Sequence, residues 1–283
     1  MEEIIYSADS SLRSPGRFFF GVWSDLRVSP PLAWSLFLRG LQAGYRQSRL
    51  GYFWLLLPPL ATAGTWAYLN AARIVDIGPT RLPYPVFVLT GTLLWQVFAD
   101  ALHSPLQQLS SARAILAKSR LPHEALLLAG LIEVLFNFAV RLLVLLPVLL
   151  WFKSRWDSTP TTALLLVPFG VAALLLLGFT AGLMLTPLGM LYQDVPRGLS
   201  LVAVFWFFLT PVIYPLPTAG VGALVAKLNP VAPLLDATRN WLTSGSAAAP
   251  REFVLVVALT IPALTVAWFF QRLARPHVVA RLG

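Results

Sequence analysis

Glu133, Asn137 and Arg141 recur at i, i+4 and i+8 inside an otherwise apolar run, so a helix there carries two opposite charges and an amide on one face. An isolated charge at the centre of a bilayer costs about 3 kcal/mol or more. The three residues therefore either clamp helices together through ion pairs and hydrogen bonds or face a polar passage. A second stripe, Arg39, Gln42, Arg46 and Arg49, is spaced by 3, 4 and 3, with Trp34, Phe37, Leu38, Leu41 and Tyr45 on the opposite face. Such a helix lies in the interfacial plane, with its guanidinium groups at the headgroups. Aromatic rings form the third group. Trp66, Tyr68, Trp95, Phe98, Trp206, Phe207, Phe208 and Tyr214 lie at or near apolar runs, where they either pack against core and lipid or offer flat faces to sugar rings.

Chemistry that this chain lacks narrows the choice. It has no G-x-x-x-x-G-K-[ST] phosphate loop, no G-x-S-x-G elbow, no acidic metal-diphosphate cluster and no His-Glu pair on one helical face. Without cysteine there is no disulfide and no thiolate metal site. His103, His123 and His277 are too scattered to predict a metal centre. The expectation is a non-enzyme with no metal and no cofactor of its own.

The elements that position these residues follow from composition. Apolar residues make up 57% of the 283, charged residues 12%, and mean hydropathy is +0.73, which points to an all-α integral membrane protein. Six apolar spans are predicted, at about 50–72, 82–99, 125–152, 161–190, 199–212 and 253–271. An amphipathic interfacial helix over about 32–49 precedes them, within a cytoplasmic segment 1–49 that lacks the pattern of a cleavable signal. The membrane domain covers 50–271 and a cytoplasmic tail 272–283. Between 210 and 246, Pro211, Pro215, Pro217, Pro230 and Pro233 forbid one long helix, yet the apolar residues among them require burial. Short re-entrant helices over about 213–246 on the outer side meet both demands, as does a loop lying on the surface. Thirteen Lys and Arg fall on the side of the N-terminus and seven on the other, so both termini are expected in the cytoplasm. The net charge of +9 is spread over span ends, as a topology signal is, and no nucleic-acid partner is implied.

Several motifs are specific. Leu36-Phe37-Leu38-Arg39 followed by Tyr45-Arg46-Gln47-Ser48-Arg49-Leu50-Gly51-Tyr52-Phe53-Trp54 strongly resembles the entry segment of permease subunits of type-2 ABC exporters for polysaccharides such as O-antigen, capsular polysaccharide and teichoic acid. Tyr192-Gln193-Asp194-Val195, the run Trp206 to Pro215, and Leu228-Asn229-Pro230 with Pro233 resemble later elements of the same family, in the same order. Two departures stand out. Leu57-Pro58-Pro59 replaces a usual Gln-Pro, and the tail Arg272-Leu273-Ala274-Arg275-Pro276 lacks the usual acidic residue.

The resemblance implies a homodimer in a bacterial inner membrane, bound to two copies of a cytoplasmic ABC ATPase that carries the ATP and Mg. It implies that Arg39, Tyr45, Arg113, Lys118 and Arg120 couple to that ATPase. Arg46, Arg49, Leu50 and Gly51 would receive the diphosphate of a polyprenyl-linked polysaccharide, since guanidinium groups match phosphate bidentately. Trp66, Tyr68, Trp95, Phe98, Trp206, Phe207 and Tyr214 are the candidate channel aromatics. Two other readings remain at this point: a type-2 exporter of a small hydrophobic drug or lipid, and a membrane-embedded lipid-modifying enzyme using Glu133, Arg141 or Asp194.

Overall fold

A computed structural model of the chain describes residues 15–46, 51, 53–75, 77–80, 82–113, 116, 121–152, 162–217, 219–243 and 249–282. Among these residues every regular element is helical: α1 (Pro15–Arg46), α2 (Phe53–Ala71), α3 (Tyr84–Ser111), α4 (His123–Phe152), a 3-10 turn (Thr162–Leu166), α5 (Val167–Leu191), α6 (Asp194–Leu209), α7 (Gly220–Leu228), α8 (Val231–Thr243) and α9 (Arg251–Leu282). Four stretches among the described residues are long and apolar enough to cross a bilayer: Tyr84–Ser111, His123–Val148, Thr162–Leu191 and Arg251–Arg275. The other two predicted spans fold as shorter helices, of 19 residues in α2 and 16 in α6.

The bundle is built around α3. In its most apolar window 78% of residues are buried inside the protein, against 18% for α4 and 17% for α9, whose apolar surfaces face outward. Helix α3 packs most extensively on α5 and also touches α2, α4, α6 and α8. Its approach to α5 is a backbone contact. A Cβ on Gly178 would lie 2.3 Å from the Phe98 carbonyl oxygen, and one on Gly182 would lie 2.1 Å from that of Leu102. This small-xxx-small pair lets two helices meet at backbone distance where lipid gives no hydrophobic drive to associate.

Several helix ends differ from expectation for physical reasons. The second span was expected to stop before Asp100, yet α3 continues to Ser111 because Arg141 of α4 neutralises that carboxylate. Helix α4 begins at His123 and takes in Glu124, which pairs with Arg272 and Arg275. Helix α1 begins well before residue 32, and α9 continues without a break through the predicted tail. The proline-rich stretch folds as two short helices, α7 and α8, joined at Asn229.

Asn229 explains that join. Its Oδ1 accepts from Val231 N at 3.0 Å, capping α8, and from Trp206 Nε1 at 2.9 Å. Its amide donates to Thr210 Oγ1 at 2.8 Å. Arg239, 2% exposed, donates to the carbonyls of Pro211 and Val212 at 3.1 and 2.8 Å and lies 3.9 Å over the Phe87 ring. The carbonyls left open by the prolines thus find buried donors.

Candidate functional site

A groove of about 970 Å³ opens between α2, α3, α4 and α6. One wall is polar. Thr92, Gln96, Asp100, His103 and Gln107 line it at steps of 4, 4, 3 and 4, a stripe along one face of α3 that spans about 22 Å at 1.5 Å per residue. Glu133, Asn137 and Arg141 face them from α4. The opposite wall is aromatic and aliphatic: Trp66 from α2, Trp95 from α3, and Phe207 and Phe208 with Ala203 and Val204 from α6.

Two cross-helix bonds organise the polar wall. Arg141 Nη1 meets Asp100 Oδ2 at 2.6 Å, and Gln108 Nε2 donates to Glu133 Oε2 at 2.7 Å. Both depend on close approach of α3 and α4, which Gly130 permits: a Cβ there would lie 2.3 Å from Ser104 Oγ. His103 Nδ1 faces the Ala99 carbonyl at 2.8 Å, so that nitrogen carries the proton and Nε2 is the acceptor in the neutral ring. Thr92 Oγ1, Gln96 Oε1 and Ser104 Oγ are buried with no hydrogen-bond partner among the described residues. Asp100, His103 and Glu133 share the groove, but no group of three potential metal ligands occurs among the described residues.

The aromatic wall has a buried backing. Trp95 and Phe207 meet edge to face at 5.7 Å, as do Phe98 and Trp206 at 5.1 Å, and the Trp95 and Phe98 rings are tilted at 5.2 Å. The structure thus brings Trp66, Trp95 and Phe207 into the groove. Phe98 is fully buried behind them, and the Trp206 indole is bonded to Asn229. Tyr68 is 69% exposed away from the groove lining, and the Tyr214 hydroxyl donates to the Phe208 carbonyl. Of the polar stripe read in the sequence, all three residues line the groove. The α3 stripe was missed, although its 4-4-3-4 spacing is visible once 82–111 is taken as one helix.

At the other predicted sites, Arg39 is exposed on α1. Arg113 donates to the carbonyls of Met190 at 2.8 Å and Gly189 at 3.4 Å, capping the end of α5 beside the Tyr192–Val195 corner. Gly51 has φ of +46°, a turn conformation that favours glycine. The side chains of Tyr45 and Arg46, and residues Arg49, Leu50, Lys118 and Arg120, lie outside the described residues.

A second charged cluster joins three helices at the end of the bundle where α4 begins. Arg272 of α9 bridges Asp25 of α1 at 2.8 Å and Glu124 of α4 at 2.9 Å, and Arg275 also pairs with Glu124. The basic tail that departs from the family pattern is thus neutralised from α1 and α4. Apolar contact supports the join, as Phe37 of α1 packs edge to face on Phe136 of α4 at 5.6 Å.

No family model matches the chain. Among curated proteins it is similar to the O-antigen export system permease protein RfbA of Myxococcus xanthus, 30% identical over 206 residues, which cover 71% of this chain and 76% of that one. It is 23% identical to the protein of that name from Klebsiella pneumoniae, over 81% of this chain and 85% of the relative. The polysialic acid transport protein KpsM of Escherichia coli is 22% identical, over 68% and 73% of the two chains.

Proposed function

The chain belongs to the family of O-antigen export permeases, the type-2 ABC exporter permeases for polysaccharides, and we propose that the groove between α2, α3, α4 and α6 is its share of the sugar passage. It is a multi-pass membrane protein, a transport component rather than an enzyme. The observation that carries the passage is the pairing of walls: hydrogen-bonding side chains on α3 and α4 suit sugar hydroxyls, and Trp66, Trp95 and Phe207 suit the apolar faces of sugar rings.

The finer reading builds on this. Helices α2 and α6 act as the first and fifth of six spans, and α7 and α8 as re-entrant helices on the outer side. The groove opens along α2 and α6 towards a second copy of the chain, so a homodimer encloses the passage. The cargo is a polyprenyl-diphosphate-linked polysaccharide received at Arg46, Arg49, Leu50 and Gly51. A cytoplasmic ABC ATPase, in two copies, binds ATP and Mg and drives export through α1 and residues 113–120. The membrane is the bacterial inner membrane and both termini are cytoplasmic, as the distribution of Lys and Arg supports.

Gentle purification of the tagged chain from its native membrane, with mass spectrometry of its companions, tests the assembly. An equimolar ATPase with ATP turnover is the expected result. A chain that leaves several mild detergents alone removes the energy source and with it the export reading. Replacing Arg46 and Arg49 together by Ala tests the entry site, and unchanged surface polysaccharide from a correctly folded variant would refute it.

A further inference from the structure

The two acids of the groove are not held alike. Four titratable side chains line it: Asp100 and His103 from α3, Glu133 and Arg141 from α4; α2 and α6 contribute none. Arg141 is 6% exposed and its Nη1 is committed to Asp100. His103 spends its Nδ1–H on the Ala99 carbonyl of its own helix. Glu133 has no ion-pair partner among the described residues; its one bonded oxygen accepts from the amide of Gln108. Among the described residues, one carboxylate on the polar wall is therefore held by an amide and not by a cation.

The rest of that wall can take a hydroxyl-bearing ligand. Thr92 and Ser104, 3% and 5% exposed, keep hydroxyl oxygens without a hydrogen-bond partner among the described residues, and Gln96 Oε1 is in the same position. Buried polar atoms of this kind cost stability unless something satisfies them. A sugar hydroxyl can donate to Gln96 Oε1 and to the Glu133 carboxylate. A sugar carboxylate cannot donate, and at Glu133 it meets like charge.

We propose that Glu133 makes this groove selective for neutral or amino-bearing glycans and repels acidic ones. The inference rests on the groove being the sugar passage and adds the charge class of the cargo. Discrimination comes from the repulsive element, with Asp100 and Arg141 as a neutral pair that leaves Glu133 to set the sign.

The test uses the full chain with its companion ATPase in nanodiscs and two end-labelled probes of equal length, an oligomannose and an oligosialic acid, followed by fluorescence polarisation. Oligomannose is expected to bind at least about tenfold more tightly, a difference of about 1.4 kcal/mol. Glu133→Gln should bring the two probes to within about threefold by strengthening only the acidic one, and Glu133→Lys should reverse the order. The Gln variant keeps the shape and the bond to Gln108, so it reports on charge even if the Lys variant fails to fold. Equal binding of both probes, or a ratio unmoved by Glu133→Gln while oligomannose still binds, overturns the selectivity and leaves the passage standing. Failure of both probes to bind the intact complex overturns the passage and the selectivity together.

Discussion

Arg141 of α4 holds Asp100 of α3 through a single 2.6 Å contact, and the two side chains are 7% and 30% exposed. The pair allows two helices to carry opposite charges through the middle of the bundle. Leaving either charge alone at such a site costs about 3–5 kcal/mol, more than the pair itself contributes. Asp100→Ala and Arg141→Met should each lower the melting temperature of the detergent-solubilised protein sharply. The double variant should recover much of the loss, and independent, additive losses would show that the two do not act as a pair.

Backbone packing of α3 on α5 predicts an unusual sensitivity to one methyl group. Gly182→Ala sets a Cβ against the Leu102 carbonyl oxygen and should destabilise by about 1–3 kcal/mol. Gly64→Ala in α2, where none of the described residues lies within 4 Å, serves as the control and should melt no lower than the unmodified protein.

The aromatic residues divide by role. Trp66→Ala and Phe207→Ala should reduce polysaccharide export several-fold, measured as surface polymer, with little change in melting temperature. Trp206→Phe removes the bond to Asn229 and should cost about 1 kcal/mol of stability, with export reduced only as far as protein yield falls. Equal export losses from all three at equal yield would contradict that division.

Glu124 is 3% exposed and answers two guanidinium groups. Glu124→Gln leaves Arg272 and Arg275 facing each other with Asp25 as the remaining acid, and should destabilise by about 3 kcal/mol or more. Limited proteolysis should then cut α1 faster than in the unmodified protein. A cleavage rate unchanged by the substitution would mean that apolar packing through Phe37 alone holds α1.

The sequence made the membrane class legible because hydropathy and Lys/Arg placement act locally. The stripe Glu133, Asn137, Arg141 was equally legible, since helical spacing alone puts the three on one face, and all of them line the groove. Pairing was not. Nothing local says that Asp100 has a partner 41 residues away, so in the sequence that charge reads as the end of a span. The α3 polar stripe went unread for the same reason, because it straddles that false boundary. For the rings, spacing could not separate Trp95 and Phe207, which line the groove, from Phe98 and Trp206 behind them. That distinction depends on how α6 is rotated against α3, which shows only in the ring contacts of Trp95 with Phe207 and Phe98 with Trp206.

The bridge from Asp25 to Arg272 connects positions 247 residues apart, so its two halves leave the ribosome at very different times. Helix α1 can lean on α4 through Phe37 and Phe136 early in synthesis, but its ionic latch cannot close until α9 exists. A chain halted before α9 would hold Glu124 inside the bundle without a counter-ion and α1 without its clasp. The last helix to be made thus supplies the cations for a carboxylate that the fourth helix has already buried.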